Sequence, residues 1–172
     1  MSNISYLQKT MDVSRVRNIV RNFLSGCDIA YPTPPGHSGF QADCISEGVR
    51  RGCITADNDA LKRFIPAGVA MACNAYHHQS HEIQMYICFY TAFLVYLDDV
   101  FEKDIDAVLP FNHRFITNQK QNDVLLDHFA QLLLDMPSVF GTAVANMMTT
   151  STLNLVTALL IEHEFRDVKV CG

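Results

Sequence analysis

No stretch of this chain alternates apolar and polar residues for long enough to make a strand, and it holds neither an internal repeat nor a low-complexity tract. Sheet-based and repeat architectures are therefore excluded, and the fold class is all-α. A Gly-rich phosphate loop, a nucleophile elbow, a Cys-His signature and HExxH are also missing. The six cysteines, at 27, 44, 53, 73, 88 and 171, form no CxxC pair. Cys73 and Cys88 fall within apolar helical patterns, so they read as reduced, buried thiols. A disulfide framework is excluded, and a cytoplasmic setting is expected. Residues 1–6 lack the charged-then-apolar layout of a secretory signal. The apolar run at 85–97 falls short of the roughly 20 residues that cross a bilayer, so no membrane span is expected.

What remains is globular in composition: 172 residues, 49% hydrophobic and 18% charged, enough for one domain with a core. A single domain over 1–172 is expected. The net charge is −5, and the segment from Asp98 to Asp106 supplies −4 of it, five acids against Lys103. The acidity is local, which argues against nucleic-acid binding.

Helical spacing organises the chain. Val16, Ile19, Val20, Phe23 and Leu24 share a face, with Arg15, Arg17 and Arg21 largely opposite. A Pro/Gly-rich loop at 29–39 follows, then a short helix near Gln41–Arg51. Asp57 or Asn58 caps the next piece, and Pro66 breaks it or restarts it as Ala67–Tyr76. His77, His78 and His81 read as a polar turn, since no third metal ligand can be named. Ser80 is an N-cap, with Glu82 in the first turn of a helix running to about Lys103. Asn122 or Asp123 caps an amphipathic helix through Leu125, Leu126, Phe129, Leu132 and Leu133. Pro137 then opens an apolar segment reaching Glu162, interrupted at Thr149–Thr152.

The most informative stretch is Asp98-Asp99-Val100-Phe101-Glu102-Lys103-Asp104, directly after thirteen residues, Met85 to Leu97, among which Thr91 alone lies outside the hydrophobic and aromatic set. In a helix, Asp98 and Glu102 share a face at i, i+4, and Asp99 and Glu102 at i, i+3. Stepping back from Asp98 gives Leu94, Tyr90 or Thr91, and Ile87. Carboxylates this close repel unless a cation lies between them, and oxygen ligands suit Mg²⁺. The alternative is an acidic helix tip fraying into solvent.

This stretch resembles the DDxx(D/E) motif of class I terpene synthases, and the wider sequence is similar to the fungal trichodiene synthase family. Leu160-Ile161-Glu162-His163-Glu164-Phe165 resembles a family segment carrying another acidic metal-site residue, 64 residues after Asp98. The Arg-rich start, Val13 to Cys27, looks like the family's first helix. The resemblance implies a class I terpene synthase-like helical bundle, a lyase, with Asp98, Asp99 and Glu102 catalytic. It implies Mg²⁺ on Asp98, Glu102 and Glu162, and farnesyl diphosphate as substrate of a sesquiterpene cyclisation. Phe89, Tyr90, Phe93 and Tyr96, on the approach to Asp98, are the candidate cavity aromatics.

The family's second motif, Asn-Asp-x-x-Ser-x-x-x-Glu, is not matched. Asn154 and Glu162 have its outer spacing, but Leu155 and Ala158 occupy the Asp and Ser positions. Arg166 to Gly172 no longer resembles the family. The expectation is a bundle truncated at its C-terminal side, with little cyclase activity of its own. Its apolar helix faces would invite aggregation or pairing as a homodimer. Chain-elongating prenyltransferases are disfavoured, because Asp104 to Pro110 replaces the arginine pair that follows their motif. The other alternative is a catalytically inactive helical paralogue or fragment that acts as a binding protein.

Overall fold

The computed structural model describes residues 13–27 and 37–166, which are helical and contain no strand. Contacts divide the chain into a unit at 1–35 and a unit at 36–172. The first contributes α1, Val13–Gly26, whose apolar stripe follows the spacing noted above. Residues 29–36 of the expected loop lie outside the described residues. Its last two positions do not belong to a loop: Ser38 and Gly39 open α2, Ser38–Arg50.

In the second unit, a 3₁₀ turn at Ala60–Arg63 leads into α3, Ile65–Ala75, with Pro66 in its first turn, where a missing N–H costs nothing. The cap of the turn is Asp59, while Asn58 Oδ1 accepts from the backbone N–H of Ala60 at 3.3 Å. Helix α4, His81–Lys103, is the centre of the core. Ser80 Oγ accepts from the N–H of Ile83 at 3.3 Å. Gln84 Nε2 donates to the carbonyls of Tyr76, His77 and Gln79 at 3.0–3.2 Å, which ties the histidine turn to the helix. His81 meets Asp43 at 3.5 Å and sets its ring edge-on to Phe40.

Two short helices follow, α5 at Ile105–Val108 and α6 at Phe111–Ile116. Helix α7, Val124–Phe140, starts at Asp123, whose Oδ1 accepts from the N–H of Leu126 at 2.8 Å. Helix α8 spans Thr142–Phe165. Stacking of Phe93 on Phe129, with centroids 5.6 Å apart, ties α4 to α7. Tyr86 adds a bond from its hydroxyl to the Leu132 carbonyl at 2.6 Å.

The 137–162 expectation is corrected at two places. Pro137 opens nothing; it lies inside the last turn of α7, and the reversal falls at Gly141. Gly141 has φ +75°, a conformation cheap only for glycine. Thr149–Thr152 does not interrupt α8 either. Thr152 Oγ1 donates back to the Met148 carbonyl at 2.9 Å, which satisfies the hydroxyl without unwinding the helix.

By length and composition alone, α4 and α8 are long and apolar enough to cross a membrane. The helix around the 85–97 run is longer than the run itself. Helix α4 is wrapped by α2, α3 and α7, the position of a core helix; α8 is covered on one side only. The cysteines at 27, 44, 53, 73 and 88 are free, with Cys88 buried and Cys73 half-buried. Cys171 lies outside the described residues.

One ion-pair cluster sets an acid limit. Glu47 takes two hydrogen bonds from Arg50 at 2.6 and 2.7 Å and one from Arg51 at 2.7 Å. The Arg50 bonds hold its carboxyl near pKa 2 against an opposing desolvation, with Arg51 adding to the pull. The unfolded carboxyl titrates near an ordinary value of about 4.3. The depressed folded value means the cluster contributes stability above that pH, and the contribution is lost as pH falls toward 2. Glu47→Gln should therefore melt lower than the parent chain at pH 7, with the gap closing in acid. Thermal melts followed by circular dichroism across that range check it.

Candidate functional site

The acidic cluster sits at the C-terminal end of α4. It occupies one side of a helix whose other side stays buried through Leu97, Val100 and Phe101. Asp98 and Glu102 are both exposed, one turn apart on the same side. Asp98 has no hydrogen bond or ion pair among the described residues. Glu102 accepts from Arg166 at 3.1 Å. Asp99 is half-buried and already neutralised: Arg63 donates to one oxygen, and Lys103 Nζ reaches both at 2.8 Å. The motif thus separates into an open Asp98–Glu102 edge and a braced Asp99.

Helix α8 brings its last turn to this end of α4. The His163 ring lies edge-on to Phe101 at 6.1 Å, and the Arg166 guanidinium lies 5.9 Å from the same ring. Glu162, on that turn, is exposed. Among the described residues no hydrogen bond or ion pair joins it to Asp98 or Glu102, although His163 and Arg166 beside it meet Phe101 and Glu102. Among the described residues no group of three or more His, Cys, Asp or Glu gathers as a cation site.

The chemistry of the donors nonetheless fits Mg²⁺. That ion is commonly held by one or two carboxylates, with water and substrate phosphate completing its shell. An unpartnered Asp98 one turn from Glu102 offers such a pair.

The aromatic candidates are placed differently from one another. Phe89 stands nine residues before Asp98, two and a half turns, and so on the opposite side of α4. Phe89, Phe93 and Tyr96 are buried in the packing around α4. Tyr96 donates to Asp123 Oδ2 at 2.8 Å, and its ring stands edge-on to Phe64. Burial, together with the Asp123 carboxylate, pushes the Tyr96 hydroxyl far above its usual range. Tyr90 is half-buried and shares a hydrogen bond with Thr152 Oγ1 at 2.9 Å.

Phe89 and Phe93 also line a cavity of about 170 Å³ with Arg51, Cys53, His128 and Leu132. Ligand pockets for drug-sized molecules run to roughly 300–1,000 Å³. This cavity is too small for a fifteen-carbon chain, and neither Asp98 nor Glu102 lines it. Burial raises the Cys53 thiol there to a pKa of about 11, so it stays protonated and inert.

The side of α4 that carries Asp98 runs back through Val95, Leu94, Thr91 and Ile87. Val95, 38% exposed, is the helix's one exposed large hydrophobic residue. Sequence reasoning passed over Val95 and Arg63, and it set Arg166 outside the stretch that resembles the family. The three-residue step from Asp98 was a signal for Val95. Nothing local signals Arg63.

The central apolar helix of the bundle thus ends in two exposed carboxylates, Asp98 without a partner and Glu102 paired with Arg166. The chain is similar to fungal terpene synthases, among them sesquiterpene synthases. It is 29% identical over 158 residues to the alpha-cuprenene synthase of Coprinopsis cinerea, covering 90% of this chain and 49% of that protein. A terpene synthase of Cochliobolus sativus is 29% identical over 149 residues, 84% of this chain and 45% of that one. The longiborneol synthase of Gibberella zeae is 34% identical over 151 residues, 84% of this chain and 43% of that one. The chain spans about half the length of these relatives. No family model matches it.

Proposed function

We propose that this chain carries the first metal-binding wall of a trichodiene synthase-type sesquiterpene cyclase, acting on farnesyl diphosphate. The observation that carries the reading is the Asp98–Glu102 edge, open and unpaired at Asp98, in a chain similar to fungal terpene synthases. Asp98 and Glu102 would hold Mg²⁺, and Glu162, on the last turn of α8, would serve as a further ligand. The bound ion supplies Lewis-acid stabilisation of the departing diphosphate.

The chain's own groups do the rest. Arg63 and Arg166, each bound to a motif carboxylate, are placed to donate to diphosphate oxygens. Asp99, braced by Arg63 and Lys103, holds the end of α4 in place. The apolar side of α4 ahead of Asp98, with Val95, Leu94 and Ile87, keeps water from the allylic cation. Tyr90 is the one aromatic candidate with part of its surface free to meet that cation.

The test is binding of a non-ionising farnesyl thiodiphosphate to residues 1–172, followed by calorimetry. Binding that appears only with Mg²⁺ is expected. A chain that ignores the analogue with and without the metal, or binds it equally in both, would contradict the reading and favour an inactive helical paralogue.

A further inference from the structure

We propose that the cavity between the end of α2, α4 and α7 binds a small zwitterion with an apolar body, of the class of a free apolar or aromatic α-amino acid. The inference does not rest on the cyclase reading, and no residue of the carboxylate edge takes part in it.

Three elements build the cavity, each with its own chemistry. Helix α4 supplies the floor through Phe89 and Phe93, one turn apart and both buried. Helix α7 supplies one wall. His128, Gln131, Leu132 and Asp135 stand at i, i+3, i+4 and i+7, a single stripe of that helix. The other wall lies just past α2, where Gly52, at φ +77°, reverses the chain. Arg51 and Cys53, on either side of that glycine, both line the cavity. The deep part is therefore apolar, closed by the two rings, Leu132 and the Cys53 thiol, and the charges stand at the rim.

The rim carries a cation and an anion that do not neutralise each other. Arg51 donates its Nε–H to Glu47 at 2.7 Å, and its guanidinium carbon lies 5.3 Å from the centre of the Phe89 ring. Its two terminal nitrogens make no hydrogen bond among the described residues. Glu47 is shared with Arg50, so this side keeps one net positive charge. Across the cavity, Asp135 Oδ1 accepts from Gln131 at 3.0 Å, while Oδ2 accepts nothing among the described residues. His128, half-buried between them and the floor, likewise has no hydrogen bond there.

That arrangement selects a ligand by charge, shape and size. A carboxylate suits the free end of the guanidinium, and an ammonium suits Asp135. A simple anion would meet Asp135 at like charge, and a simple cation would meet Arg51. An α-amino acid carries both groups on one carbon and leaves its side chain for the apolar floor. The cavity measures about 170 Å³, and a dry cavity of roughly 150 Å³ takes benzene, so a side chain as large as a phenyl ring fits.

The test is isothermal titration of residues 1–172 with L-phenylalanine and L-leucine at millimolar concentrations. Three analogues run beside them: phenylacetate, which lacks the ammonium, phenethylamine, which lacks the carboxylate, and glycine, which lacks the apolar body. At least one of the two amino acids should bind saturably, and each analogue at least about 10-fold more weakly, since each loses one charged contact or the buried side chain. Arg51→Gln and Asp135→Asn should weaken binding by a similar factor. Both replace exposed side chains, and unchanged circular dichroism shows that the variants fold. Absence of saturable binding by both amino acids, an analogue that binds as tightly as they do, or full affinity in either folded variant would overturn the proposal.

Discussion

Gly68→Ala should lower the melting temperature of this chain by several degrees, although alanine is the better helix former. Gly68 is where α3 presses on α4. A methyl added there would lie 2.1 Å from the Cys88 carbonyl oxygen and 2.9 Å from its sulfur. The carbonyl belongs to the hydrogen-bonded ladder of the core helix, so it cannot turn aside as a side-chain tip would. Overpacking of this kind costs about 1–3 kcal/mol, occasionally more, while the propensity gain returns at most about 1 kcal/mol. Each kcal/mol moves the midpoint of a domain this size by roughly 2–4 °C. A melt of Gly68→Ala equal to the parent's would mean that α3 and α4 stand further apart than described. Gly48 is a useful contrast. A methyl there meets the end of the Ile54 side chain at 2.6 Å, a flexible group that can swing away at smaller cost.

Residues 1–172 incubated with farnesyl diphosphate and Mg²⁺ should give little or no cyclised hydrocarbon, at least ~10³-fold below the alpha-cuprenene synthase to which the chain is similar. Ionisation needs charge stabilisation from more than one side of the leaving group, and each missing donor costs on the order of 10²–10³-fold in rate. The described residues supply one carboxylate pair on α4. The sequence carries no Asn-Asp-x-x-Ser-x-x-x-Glu set, and the Asn154–Glu162 spacing on α8, with Leu155 and Ala158 in it, is a coincidence. Gas chromatography of extracted product checks it. A robust yield that depends on Asp98 would show that the donors within this chain suffice for the chemistry.

The core helix and its acidic end were legible because their signals are local. Ser80, Glu82 and the apolar run define α4, and a four-residue step puts Asp98 and Glu102 on one side whatever the rest of the chain does. The ion pairs that divide the motif were not legible. Arg63 and Arg166 lie 36 and 64 residues from their carboxylate partners, and their arrival depends on how the 3₁₀ turn and the end of α8 dock. The aromatics were chosen for their type, near a helix apolar on nearly every side. In such a helix, type does not tell which side holds the core, and Phe89, Phe93 and Tyr96 went into it. Pro137 was read as a beginning because proline tolerates the first turn best. In the fold, Phe140 sets its ring on Tyr86 at 5.1 Å and carries α7 past the proline to the glycine that can turn.

Binding of diphosphate at the Asp98–Glu102 edge through Mg²⁺ is measured by isothermal titration of residues 1–172 with inorganic diphosphate, with and without the metal. Binding should appear only with the metal and fall about 10-fold or more in Asp98→Asn and in Glu102→Gln. It should be unchanged in Asp106→Asn, whose exposed carboxylate lies on α5 outside the edge. Metal-independent binding, or equal binding by Asp98→Asn and the parent chain, would contradict it.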